Sequence, residues 1–132
     1  MANVVNTQVL MDGARNTTVK ITGVLDTSDV ATTIVIDPAT FSPTPSKFRI
    51  DHIDYSISTP LEVRLLWDGT PQLDILPLSG RGRMSFWNFG GLQNNATSPT
   101  GKIALETTGY NTTIGGTPLV FSVVLELVKQ GV

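Results

Sequence analysis

No cysteine occurs among the 132 residues, which excludes a disulfide scaffold, a thiol nucleophile and a thiolate-held metal, and leaves the redox compartment open. Charge is scarce as well: 15% of the residues are Asp, Glu, Lys or Arg, against roughly 25% in an ordinary globular domain. The net charge is −2 and the basic residues are scattered. A nucleic-acid partner needs them gathered on one face, so none is expected. No apolar run approaches the roughly 20 residues of a membrane helix. The opening, MANVVNTQVL, shows no basic segment followed by an apolar one, so neither a membrane span nor a signal peptide is expected. Helical periodicity is missing too, since no window keeps apolar residues at i, i+3, i+4 and i+7 through three turns.

What the chain has in quantity is threonine, 18 residues, together with 12 Gly and 8 Pro. That composition suits strands joined by turns. Apolar and polar residues alternate over 16–25, where Val19, Ile21 and Leu25 share one phase, the mark of a half-buried strand. Further strand-like segments are 4–11, 32–36, 47–57, 61–67, 73–78, 81–89, 102–108 and 118–129. In 118–129, Phe121, Val123, Leu125 and Leu127 fall on one face and the other face is also fairly apolar, which predicts a strand in the middle of a sheet or one covered by a partner. Prolines at 43 and 45 keep the 37–46 segment out of a ladder. About nine short strands and almost no helix predict one all-β domain over 1–132: a single antiparallel β-sandwich, jelly-roll-like, with residues 1–9 a candidate extended arm.

The only histidine stands in Asp51-His52-Ile53-Asp54, the densest cluster of titratable groups. Neighbours on a strand point to opposite faces, so only His52 and Asp54 share a side, too few ligands for zinc. Reading 47–67 as a hairpin turned at 58–60 places Asp54 opposite Arg64 as a structural ion pair. Phe48 and Ile50 are out of phase with Ile53, Tyr55 and Ile57, which predicts either a bulge near Asp51-His52 or a strand covered on both faces.

The segment 79–95, SGRGRMSFWNFGGLQNN, combines two arginines, three aromatics, a double glycine and paired asparagines. Its glycines match no nucleotide-binding pattern. An alternating strand with Met84 and Phe86, ending in Trp87 and Phe89 before a Gly-Gly turn, explains the segment structurally. The alternative is an interface, because Arg, Trp and Phe beside Asn are residue types that protein contacts favour. No serine lies in G-x-S-x-G, and any triad would have to use His52. No catalytic residue, metal site or cofactor is expected, although a carboxylate pair assembled in space would not be visible here.

The segments VLMDGARNTTVKITGVLDTSD, WDGT, RGRMSFWNFGGLQNN and FSVVLELVKQG together resemble small virion structural proteins of tailed bacteriophages, particularly of marine and environmental bacteria. The likeness covers most of the chain. It implies a non-enzymatic particle component: a capsid decoration (cement) protein, homotrimeric, bound across major capsid subunits and located in the virion. The alternatives are a neck or tail component, and a host-glycan-binding module in which Trp67, Trp87 or Tyr110 stacks on sugars. The candidate contact elements are residues 2–9 with Val4 and Val5, the 37–46 loop with Phe41, and the arginines Arg81 and Arg83. To these are added Trp87 and Phe89, the 90–100 loop with Gln93, Asn94 and Asn95, and the 109–117 loop with Tyr110 and Asn111.

Overall fold

Among the described residues nine strands make up the fold: β1 (Val4–Asp12), β2 (Asn16–Leu25), β3 (Thr33–Ile36), β4 (Lys47–Ile57), β5 (Glu62–Trp67), β6 (Leu73–Leu78), β7 (Arg81–Ser85), β8 (Ile103–Thr108) and β9 (Leu119–Gln130). The computed structural model describes residues 3–26, 28–110 and 118–131. Among these the helical content is two single 3-10 turns, Pro38–Thr40 and Trp87–Phe89.

The strands form two antiparallel sheets, one ordered β1-β2-β9-β4-β7 and the other β3-β8-β5-β6. From β2 onward the chain crosses to the second sheet at β3, returns at β4, crosses again for β5 and β6, returns at β7, crosses at β8 and returns at β9. That wrapping is the jelly roll, in which two Greek keys close around one core. Residues 4–12 are its edge strand, paired with β2 from Val4↔Val24 to Asp12↔Thr17, rather than an arm extending away.

Alternation decides which face is buried. Val19, Ile21 and Leu25 of β2 and Leu119, Phe121, Val123, Leu125 and Leu127 of β9 all face the core. Val63, Leu65 and Trp67 of β5 meet them from the opposite sheet with Ile103 and Leu105 of β8. Gly23 lies directly under the Phe121 ring, where any side chain would collide with it. β9 occupies the middle of its sheet, between β2 and β4; its core face is buried throughout, while on its outer face Val128 is buried and Val120 is exposed.

The phase conflict in β4 resolves as a bulge. Its register with β9 shifts between Ile50 and His52, so that Phe48, Ile50 and Ile53 are all fully buried while Asp51 is the extra residue.

The hairpin expected over 47–67 does not form, and this corrects the Asp54–Arg64 pair. Leu61 N–H donates to the Ser58 carbonyl (2.8 Å) in a turn that carries the chain across the sandwich, so β4 and β5 lie in different sheets. Asp54 sits opposite Arg83 of β7 and bonds it at 2.9 Å. Arg64 sits opposite Glu106 of β8 and lies 3.5 Å from both Glu62 and Asp74. Two alternating strands present the same pattern whether they lie side by side or pack face to face, and here the core lies between them.

Candidate interaction surface

The bulge in β4 is an anchor for the aromatic segment that follows β7. The Phe86 N–H donates to the Asp51 carbonyl (2.7 Å), and Leu92 exchanges two backbone hydrogen bonds with Ile50 (2.8 and 3.0 Å). Between these ties the chain makes the tight turn Trp87–Phe89, closed by Phe89 N–H to the Phe86 carbonyl and Gly90 N–H to the Trp87 carbonyl, both 3.2 Å. Gly90 and Gly91 follow with φ of +90° and +78°, a left-handed conformation that residues with a Cβ avoid. A Cβ at Gly91 would also stand 2.6 Å from Asp51 Oδ1. The Asp51 carboxylate is itself fixed by Arg49 Nε at 3.0 Å.

This scaffold points two aromatic rings at solvent. Trp87 is 62% exposed and Phe89 65%, while Phe86 is partly buried against the core and meets Phe89 edge to face, centroids 6.1 Å apart. The expected strand 81–89 thus stops at Ser85 and becomes a turn. Gln93 braces it by donating from Nε2 to the Gly90 carbonyl (2.7 Å) and accepting at Oε1 from Gln130 (3.1 Å).

Beside the turn, the outer face of the five-stranded sheet is polar. Arg83 reaches Asp54 (2.9 Å) and Glu126 (3.0 Å), and His52 Nδ1 shares a hydrogen bond with Ser85 Oγ (2.9 Å). A depression of about 180 Å³ lies here among Thr18, Asp51, His52 and Glu126. Among the described residues no three His, Asp or Glu side chains converge as metal ligands. Nor does any described helix have the length and apolarity to cross a membrane.

The candidate residues separate on exposure. Val4, Arg81, Arg83, Trp87, Phe89, Gln93 and Asn95 are exposed. Val5 and Tyr110 are partly buried against the core. Two expected contact residues are corrected. Phe41 is buried edge-on against Phe48, centroids 5.3 Å apart, because the 37–46 loop folds its one large apolar residue into the end of the sandwich. Asn94 is buried too, with Oδ1 accepting from Ala96 N–H (3.1 Å), so it shapes its own loop. Asn111, with residues 112–117, lies outside the described residues. Trp67 is in the core, which removes it as a sugar-stacking platform.

One surface feature escaped sequence reasoning. Val4, Val24 and Val120 align across β1, β2 and β9 and all three are exposed on the outer face. Each occupies the solvent phase of its strand, and only the register between strands shows that they form a row. Comparison with protein-family models, curated proteins and solved structures found no match to this chain.

Proposed function

We propose that this chain is a bacteriophage capsid decoration protein, which docks across neighbouring major capsid subunits and stabilises the head. The observation that carries the reading is the Trp87–Phe89 turn: two exposed aromatics on one turn, held on a hydrogen-bonded backbone after an edge strand. Rigid aromatic side chains anchor protein interfaces because they bury much area at little entropic cost. The sequence resemblance to phage virion proteins supplies the partner. The jelly roll agrees with it, being common in capsid domains, although it also serves lectins, so the fold is support by analogy alone. A ligand that binds only the assembled lattice stabilises that lattice by mass action.

The test mixes the purified protein with undecorated capsids and counts the copies bound. Decoration requires saturation in a fixed stoichiometric ratio to the major capsid subunit, lost in the W87A/F89A variant. Failure to bind capsids, with binding instead to neck or tail assemblies, would move the protein to those structures. Binding to neither, with glycan binding that depends on Trp87, would favour the host-surface reading.

A further inference from the structure

Each sheet has two outer edges, and three of the four are blunted against pairing with another chain. β7 is five residues long and carries Arg81 and Arg83. β6 carries Asp74 and Pro77. β3 is four residues long and runs into Asp37-Pro38. Charge, proline and brevity are the usual means by which edge strands avoid adding a neighbour. β1 has none of these along 4–11: it is nine residues long, free of proline, and uncharged until Asp12, with one irregularity near Leu10.

Its residues are also ordered in a telling way. Around Thr7 the strand reads Val4-Val5-Asn6-Thr7-Gln8-Val9-Leu10, a palindrome in chemical type. An antiparallel pair related by a two-fold axis at Thr7 sets Asn6 of one copy against Gln8 of the other, Val5 against Val9, and Val4 against Leu10. Like groups meet on the same face, amide with amide and aliphatic with aliphatic, with no charge to repel.

We propose that β1 pairs with β1 of a second copy of this chain about a two-fold axis at Thr7, joining two five-stranded sheets into one of ten. The strand is ready-made for this. Asn3 Oδ1 accepts from Asp26 N–H (2.8 Å) ahead of the strand, and Asp12 accepts from Ser42 N–H (3.1 Å) at its end, so little ordering entropy opposes association. A groove of about 260 Å³ runs beneath the same edge, between β1 and β3, lined by Thr7, Val9, Ile34, Ile36 and Phe41. Val9 and Ile34 are exposed there, and a second copy's β1 would cover both.

This inference goes beyond the docking reading and stands or falls without a capsid; it also replaces the expected trimer by a two-fold contact. The test is sedimentation of the full chain, free of capsids, from micromolar to about 1 mM. Wild type should pass from monomer to dimer. N6K/Q8K sets lysine against lysine at both cross-copy pairs and should weaken the dimer about tenfold or more. N6K/Q8E sets lysine against glutamate and should dimerise at least as well as wild type. Both positions are exposed, but Gln8 stands opposite Lys20 of β2, so Q8K also repels within one copy and Q8E attracts. A loss of dimer in N6K/Q8K counts only if the variant remains folded, with its thermal midpoint near that of wild type. A monomer throughout the range, a trimer indifferent to N6K/Q8K, or equal loss in N6K/Q8E would each overturn the proposal.

Discussion

Lys129 Nζ lies 2.6 Å from Asp12 Oδ1, the lysine side chain wholly enclosed and the aspartate side chain 27% exposed. The pair joins the end of β1 to the centre of its sheet, and the ammonium stands 6.0 Å from the Phe41 ring centroid. The contact of the Lys129 ammonium, followed by the hydrogen bond from the Ser42 N–H, holds the Asp12 carboxyl below its ordinary value. A carboxyl depressed in the folded state contributes stability that is present above its unfolded pKa and lost as pH falls through the folded one.

Acid titration of unfolding should therefore show a stability decrement below about pH 4 that is absent in Asp12→Asn. At neutral pH, Asp12→Asn should be the more harmful of two single changes, because it leaves an enclosed ammonium without its counter-charge. Lys129→Met keeps the apolar stem and leaves Asp12 able to reach water. Thermal midpoints lower in Lys129→Met than in Asp12→Asn would contradict this account.

Exposed and anchoring residues of the aromatic turn should separate by stability. Trp87→Ala removes a mostly solvated ring and should change unfolding free energy by no more than about 0.5 kcal/mol. Gly91→Ala forces a Cβ into the left-handed region and against Asp51, costing at least about 1–2 kcal/mol. Urea denaturation of both variants checks the ordering.

Under the Phe121 ring, Gly23→Ala should destabilise by about 1–3 kcal/mol through overpacking. Phe121→Ala should cost roughly 3–5 kcal/mol through the cavity it leaves. The two residues contact each other, so the double variant should lose less than the sum of the two. Strict additivity in a double-mutant cycle would argue against the packing described.

Arg83 bridges Asp54 and Glu126 with half its side chain exposed. Its replacement by Ala should cost less than about 1 kcal/mol, and the loss should shrink further as salt is added. A cost that persists in molar salt would require a role beyond these ion pairs.

The strand positions were legible because turn residues punctuate a clear alternation; even the β4 bulge was marked, by Phe48 and Ile50 falling out of phase with Ile53. Sheet membership was not legible for β4 and β5, since core-facing Ile53 and Val63 satisfy the same pattern in either arrangement. The loops were least legible. Phe41 and Asn94 look like contact residues by type, yet both are buried, because tertiary contacts rather than local composition decide which loop residues reach solvent. Composition marks Trp87 and Phe89 as contact types, but their projection depends on backbone bonds to the bulge that no local pattern encodes.

The placement of β9 between β2 and β4 has a consequence for how the protein is made. It is the last of the nine strands to leave the ribosome, yet it is the central member of its sheet. Until residue 130 is free, β2 and β4 have no shared neighbour and their core-facing side chains stay uncovered. The five-stranded sheet can therefore close only once synthesis has passed this strand, through contacts distant in sequence, a slow route for a small domain.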